Sequence, residues 1–394
     1  MDFYNPSLLS NLVYRIMDLK DFKAGFWQPQ VGYRSFQPSP INHTFTWSDP
    51  ELNVLLEEAT LKLGALDTYS ELAPSIDLFI QMHVVKEATQ SSRIEGTKTA
   101  MDEALMRKED LQPERRDDWD EVHNYIGAMN GAIAELDKLP LSLRLLRQTH
   151  QQLMQGVRGE HKSPGAFRTS QNWIGGASLR DAAFVPPHYG DVQNLMGDLE
   201  SFLHNAEARV PHLIKIAIAH YQFETIHPFL DGNGRLGRLM ITLYLVSNGI
   251  LRKPVLYLSD FLEKNKSHYY DNLTRVRTHH DLNQWLRFFL IAVAATCEQA
   301  LSTLKQVLAL KQQVESERIY PLGRRIPQAQ QLLRLFYQQP VQYARDIAQA
   351  LGGSPTSVNR LLADLTNLGI LRETTGYKRN RMFVFSEYLA LFQG

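Results

Sequence analysis

At 394 residues the chain is long enough to bury a large core and to hold two or three domains. Its 42 Lys and Arg balance 42 Asp and Glu, and 44% of it is hydrophobic, the composition of an ordinary soluble globular protein. A single cysteine, Cys297, excludes an intrachain disulfide and any zinc site built on cysteines, and makes a reducing cytoplasm the expected setting.

The N-terminus, MDFYNPSLL, has neither the basic start nor the apolar core of a signal peptide. Residues 1–45 are rich in aromatics and prolines without clear periodicity, Phe26, Trp27, Pro29, Tyr33, Pro38 and Pro40 among them, and predict an irregular arm packed on a core. From Asp49 the spacing turns helical: Leu52, Leu55, Leu56, Ala59 and Leu63 form one stripe, and residues 76–89 repeat the pattern. The helix through HVVKEATQSSRIE is expected to stop at Gly96. That leaves the Glu95 carboxylate at the negative end of the helix dipole, a penalty of roughly 0.3–1 kcal/mol that a nearby cation would offset. Helices dominate to residue 316, interrupted at 172–187 by NWIGGASLRDAAFVPP, where two short apolar runs flank a polar turn and predict a hairpin. The apolar run Phe288 to Cys297 is too short to cross a bilayer, so no membrane role is expected.

The stretch HPFLDGNGRLGR, residues 227–238, contains GNGRLG and so satisfies the G-x-G-x-x-G pattern of a dinucleotide-binding turn. Such a turn needs a strand before its first glycine. Here KIAIAHYQFETI precedes it with helical spacing, and RLGRLMITLYLVSNG follows as a second helix that ends at Asn248 and Gly249. The glycines therefore open a helix in a loop between two helices. Unpaired amides and the positive end of the dipole make that start an anion site, and Gly232 and Gly234 let phosphate oxygens approach the backbone. Asn233 adds a side-chain donor, and Arg235 and Arg238, three apart, are expected to reach toward the same polyphosphate. Asp231 is a hard oxygen ligand suited to magnesium. His227, with an ordinary pKa of roughly 6.5, is able to take a proton at neutral pH. Each of these has a plainer reading alone: a structural histidine, an Asx turn, solvated arginines. Their coincidence within twelve residues points to phosphate chemistry.

The same stretch resembles the Fic motif, H-x-F-x-[D/E]-G-N-G-R-x-x-R, at every specified position. Residues 172–187 resemble that family's flap hairpin, and SSRIEGT at 91–97 is similar to its inhibitory motif, [S/T]-x-x-x-E-[G/N]. The resemblance implies a mainly α fold: an N-terminal arm and inhibitory helical extension at 1–110, then a Fic-type helical core with a short β-hairpin flap at 111–316. It implies a protein adenylyltransferase that moves AMP from ATP, with Mg2+, to a Ser, Thr or Tyr hydroxyl of a target protein or of itself. His227 would be the base and Asp231 the metal ligand, with Gly232, Asn233, Gly234, Arg235, Leu236, Gly237 and Arg238 at the nucleotide. Family members that phosphorylate instead depart at the position of Gly234, so this glycine favours nucleotidyl transfer. Phe229 reads as a core anchor that fixes the loop. Ile174, Gly175 and Gly176 of the flap would align the target's main chain by strand addition. In YLSDFLEKNKSHYYDNL, Asn265, Tyr269 and Tyr270 are candidate adenine contacts. Glu95 would bind Arg238 in the space of the γ-phosphate, with Ser91 orienting Glu95.

Beyond SERIYPLGRRIP, residues 316–327, three short helical patterns and then strands predict a winged helix-turn-helix over 325–394, with Ser354 as N-cap and Pro355 at the first helical position. From Arg324 onward nine Lys or Arg face four acids, a surplus of 9 − 4 = 5. This suggests DNA-backbone contacts through Thr356, Ser357, Asn359, Arg360, Lys378, Arg379 and Arg381. A protein-docking or homodimerising module remains open. So do two other functions: a DNA-binding regulator whose core only senses nucleotide, and a hydrolase that removes AMP from modified proteins with Glu95 positioning water.

Overall fold

A computed structural model describes residues 16–73, 76–377 and 380–393. The first fifteen residues of the expected arm, together with Lys378 and Arg379, lie outside the described residues.

Four short strands open the fold: β1 (Ile16–Asp18), β2 (Gly25–Gln30), β3 (Tyr33–Pro38) and β4 (Thr44–Thr46). β1 pairs parallel with β4, and β2 pairs antiparallel with β3, Trp27 opposite Phe36. The arm is therefore not irregular. Alternation turns Trp27 and Phe36 onto one face, where both rings pack on Phe184, and leaves Phe26 exposed on the other. Pro29 and Pro38 are tolerated because both strands of a two-stranded ribbon are edges.

Helices follow: α1 (Pro50–Leu72), α2 (Ile76–Ile94), α3 (Met101–Ala104), α4 (Arg116–Glu135), α5 (Leu143–Leu153), α6 (Val192–His204), α7 (His212–Ile226), α8 (Asn233–Ser247), α9 (Ser259–Lys264), α10 (Lys266–His279) and α11 (Leu282–Gln313). Asp49 caps α1 by accepting from the Glu51 amide, with Pro50 at the first position. The core is centred on α7. Every residue from Leu213 to Ile226 is buried, as the all-round apolar character of this helix requires, and α6, α8 and α11 surround it. Some of its polar side chains find partners inside: Lys215 Nζ donates to Asn205 O at 2.8 Å, and Gln222 Nε2 to Ser39 O at 3.0 Å. Helix α11, with its continuation to Arg318, is long and apolar enough by length and composition to cross a membrane, which the short run Phe288 to Cys297 did not suggest. Half of its most apolar stretch is buried in the fold, and Cys297 is buried as well.

A π-helical turn at Val314–Arg318 and a 3-10 turn at Tyr320–Arg325 lead from α11 into the C-terminal unit. This comprises α12 (Ile326–Gln338), β5 (Val341–Tyr343), α13 (Ala344–Leu351), α14 (Pro355–Asn367), β6 (Arg372–Glu373), β7 (Met382–Val384) and α15 (Ser386–Gln393), with an antiparallel sheet ordered β5-β7-β6. Ser354 Oγ accepts from Ser357 N at 3.2 Å and caps α14. The unit docks on the first half of α2, where Phe392 meets His83 and Phe79 at ring separations of 5.4 and 6.1 Å. Arg107 stacks over the Tyr343 ring at 4.2 Å and pairs with Asp346.

Candidate functional site

Helix α7 ends at His227, whose φ of 50° and ψ of 62° are left-handed. Glycine or asparagine normally fills that position, and another residue there costs about 1–3 kcal/mol, a strain that tends to collect at functional sites. The loop beyond it is stapled by Asn233, whose Oδ1 accepts from Phe229 N at 2.8 Å and whose Nδ2 donates to Phe229 O at 2.8 Å. Asn233 is therefore buried and engaged by the loop, and does not supply the expected phosphate donor. Phe229 is the core anchor, fully buried and stacked on His150 at 3.8 Å. His150 Nδ1 accepts from Gly165 N at 2.8 Å, which leaves the proton on Nε2 to bond Asp231 O at 2.9 Å.

Gly232, at φ 73°, caps α8, a conformation a side chain would strain. The first hydrogen bond of the helix is Leu236 N to Gly232 O, so the amides of Asn233, Gly234 and Arg235 precede the ladder at the positive end of the helix dipole. Leu236 and Gly237, expected at the nucleotide, are packing positions. Leu236 is fully buried, and a Cβ on Gly237 would stand 2.3 Å from Glu224 Oε1. Arg235 also departs from expectation: Glu121 of α4 draws its Nη1 to 3.1 Å, and Asp231 Oδ1 lies 3.9 Å from its Nη2. It braces the loop from one side, with ion-pair partners that differ from that of Arg238.

Asp231 Oδ1 accepts from Gly232 N at 2.7 Å, and Oδ2 pairs with Lys162 Nζ at 2.9 Å. Burial works to raise its pKa, but Lys162 and the amide outweigh this and hold it below the usual carboxylate range. Among the described residues no group of three or more His, Cys, Asp or Glu could cage a metal. One hard carboxylate fits Mg2+, which takes its other ligands from phosphates and water, and does not fit a metal held by protein alone.

The end of α2 comes to the same place. Gly96 takes φ 106°, and Thr97 N returns to Ser92 O at 3.2 Å, closing the helix as the sequence indicates. Glu95 Oε1 accepts from Arg238 Nη2 at 2.7 Å. Arg238 Nε donates to Ser91 Oγ at 2.9 Å, and Nη2 to Ser91 O at 2.9 Å, so Ser91 orients the arginine and not the glutamate. Burial raises the Glu95 pKa, but Arg238 prevails and lowers it overall. Burial works against the Arg238 charge, and Glu95 more than restores it. A Cβ on Gly234 would stand 2.3 Å from Glu95 Oε1, so only glycine there admits the carboxylate. The nearby Glu224 carboxyl is pushed up to about 7 by burial, and its Oε1 is buried without a partner among the described residues.

His227 lies beside this pair. Its ring pKa is lowered to about 4, by burial first and then by Arg277 and Arg168, against an opposing pull from Glu95. The ring is therefore neutral at pH 7. Its Nδ1 is buried without a partner among the described residues.

Of the expected adenine contacts, two belong elsewhere. Tyr269 is buried and pairs its hydroxyl with His220 Nε2 at 2.9 Å, and Asn265 Nδ2 donates to Phe261 O at 2.9 Å, joining α9 to α10. Tyr270 is 38% exposed and stays at the rim, near Glu95 and Arg238. The flap is a single antiparallel bridge, Ile174 N to Phe184 O at 2.8 Å and Phe184 N to Ile174 O at 3.1 Å, with Gly175 and Gly176 turning beyond it.

Comparison with known proteins agrees with this geometry. Residues 53–134 match the Fic/DOC family N-terminal region, and residues 140–245 match the Fic/DOC family. The chain carries a Fic domain. It is 37% identical over 125 residues to a protein of Aedes aegypti named protein adenylyltransferase Fic, covering 32% of this chain and 22% of that one. Its identity to the protein of that name from Drosophila grimshawi is 30% over 204 residues, covering 50% of this chain and 39% of that one. The chain thus spans less than half the length of these curated relatives. In fold it is similar to the crystal structure of a Fic family protein from Desulfovibrio desulfuricans G20, with a TM-score of 0.55 and 23% identity over 87% of this chain and 97% of that one.

Several residues that shape the Fic domain's site escape a reading of the sequence. Lys162 on Asp231, Glu121 on Arg235 and His150 under Phe229 come from elements far from the motif. Arg168 and Asn172 stand just before or at the start of the flap, in SPGAFRTSQN, where their neighbourhood signals a hairpin and gives no sign of what they hold.

Proposed function

We propose that this chain is a protein adenylyltransferase held in check by its own Glu95. The observation that carries the proposal is the Glu95 carboxylate on Arg238 at the start of α8: an anion already occupies the position that a phosphate would take. The insect relatives named protein adenylyltransferase support the same reading.

In this reading ATP lays its phosphates along the amides of Asn233, Gly234 and Arg235 once Arg238 is free of Glu95. Asp231 would hold Mg2+, which neutralises phosphate charge when bound. His227 Nε2 takes the proton of a Ser, Thr or Tyr hydroxyl as its oxygen bonds to the α-phosphorus. The bond from that phosphorus to the bridging oxygen of the β-phosphate breaks, and pyrophosphate leaves. Arg238 stabilises the departing charge. The acceptor is a target protein or a second region of this chain, aligned along the flap edge at Ile174, Gly175 and Gly176.

The C-terminal unit reads as a winged helix. Thr356, Ser357, Asn359 and Arg360 are exposed on α14, and Arg381 bonds Asn359 Oδ1 at 2.7 Å, so these two candidate DNA contacts engage one another. Binding of a mixed-sequence duplex that weakens steeply with salt would support a DNA role, and salt-independent or absent binding would remove it.

Incubation with Mg2+ and ATP labelled at the α-phosphate tests the enzyme assignment. Covalent label on protein supports transfer. Reversible binding alone supports a nucleotide sensor, and loss of label from premodified protein supports hydrolysis.

A further inference from the structure

Four consecutive carbonyls around His227, at residues 226–229, all accept hydrogen bonds from the segment that leads into the flap. Arg168 Nη2 donates to Ile226 O at 3.3 Å, Arg168 Nε to His227 O at 3.0 Å and Arg168 N to Pro228 O at 2.9 Å. Asn172 Nδ2 donates to His227 O at 3.2 Å and to Phe229 O at 2.9 Å. The same guanidinium holds both ends of the flap, through Pro187 O at 2.6 Å and Ser170 O at 3.4 Å. Arg168 is 3% exposed and makes no ion pair among the described residues: a buried charge directed wholly at backbone oxygens.

We propose that Arg168, seconded by Asn172, is the positioning residue of the transfer reaction, fixing the distance and angle between the His227 base and the flap that presents the acceptor hydroxyl. This rests on the adenylyltransferase reading of the site.

The chemistry favours arginine for this task. The last carbonyls of α7 lack helical partners and carry the negative end of its dipole, so a cation there is attracted as well as hydrogen bonded. A guanidinium offers five donors in one rigid plane and so fixes several oxygens relative to each other, whereas a lysine ammonium would satisfy them loosely. Burial lowers the Arg168 pKa to about 10, which still leaves it charged at neutral pH. His227 needs such a hold because its left-handed backbone is not one it adopts unaided. Arg168 touches neither nucleotide nor acceptor in this account. Its effect passes through the backbone of His227 and the ends of the flap.

Positioning and simple structural support differ in what they change. Loss of alignment between base and acceptor lowers kcat and spares ATP binding, since the amides of α8 that hold phosphate are tied down separately by Asn233. Structural collapse lowers both in proportion to the folded fraction.

The test uses the full chain with Glu95→Gly, so that transfer is measurable, and adds Arg168→Lys or Arg168→Ala. The expected result is a kcat lower by about 100-fold in both, the cost of misplacing a reacting group by about an ångström, with the KM for ATP within about threefold of the parent. Exogenous guanidinium should restore part of the kcat of Arg168→Ala and none of that of Arg168→Lys, whose side chain fills the space. In the unaltered chain, hydrogen exchange at the His227 and Phe229 amides should speed up on Arg168→Lys, a readout that needs no catalysis. Unchanged kcat in Arg168→Lys would overturn the proposal. Equal losses of kcat, ATP binding and folded protein would do the same, as would unchanged exchange at residues 227 and 229. If the parent transfers no AMP, the functional reading fails, and the exchange experiment still decides whether Arg168 holds the His227 backbone.

Discussion

Arg238 holds Glu95 and Ser91 at once: Nη2 reaches Glu95 Oε1 at 2.7 Å, and Nε reaches Ser91 Oγ at 2.9 Å. One helix, α2, thus supplies both the carboxylate that occupies the guanidinium and the hydroxyl that aims it. Glu95→Gly should raise automodification on the order of 100-fold, because bound ATP is then free to align its phosphates. The Arg238 side chain is 1% exposed and Glu95 35%, so the variant leaves a buried charge whose hydrogen bonds among the described residues go to Ser91 alone. Stability should fall by about 1–2 kcal/mol, less than for a wholly buried pair because solvent screens Glu95. Saturating ATP should recover the lost melting temperature by binding the folded state, and a melt that ATP does not raise would count against the shared site.

Arg238→Ala should lower transfer by about 100- to 1,000-fold, the usual cost of removing one donor to developing charge. Adding Glu95→Gly to it should change nothing further, since the carboxylate acts only through this arginine. A double variant faster than the single one would show a second route of inhibition.

Gly234→Ala places a methyl group where Glu95 Oε1 now stands, 2.3 Å from the Cβ position. The carboxylate must withdraw from Arg238. Glu95→Gly, which activates the parent, should then give less than about twofold activation in a Gly234→Ala background. Full activation in both backgrounds would mean that the pair survives the methyl group.

The pattern of residues 227–238 disclosed the loop between two helices and the helix start at Gly232, and Gly96 disclosed the end of α2, because these depend on backbone conformations that few residues adopt. What stayed hidden depends on partners brought in by the fold. Asn233 reads as a phosphate donor until the loop curls and sets it against Phe229, and Arg235 until α4 presents Glu121. Tyr269 and Tyr270 are neighbours in sequence with opposite fates, one bonded to buried His220 and one at the rim, because a helix turns about 100° per residue. The N-terminal hairpin was masked by its prolines, which an edge strand accepts.

Acid should unfold the protein in the range where its buried histidines resist charge. His83, His150, His220 and His227 are held down at about 3, 4, 3 and 4, burial being the main cause in each. The unfolded chain binds these protons as pH falls through roughly 6.5 and the native state does not, so stability is lost from about pH 6.5 down to about 4. Glu224, held up at about 7, and Glu87, raised by burial, act in the opposite sense by weakening the fold as pH rises above roughly 4.3. The four histidines outweigh Glu224, Glu87 and Asp198, whose carboxyl burial also raises, and the melting temperature should climb between about pH 4.5 and 6.5. A melting temperature flat across that window would mean that the histidines are not buried as described. The transfer rate should stay level from about pH 5.5 to 8, since His227 is already neutral there.

The most direct test of the central claim compares ATP labelled at the α-phosphate with ATP labelled at the γ-phosphate, using the Glu95→Gly protein with and without His227→Ala. Covalent label should come from the α-labelled nucleotide alone, and His227→Ala should reduce it about 100- to 10,000-fold while ATP binding persists. Label from the γ-phosphate, or undiminished transfer without His227, would contradict the account.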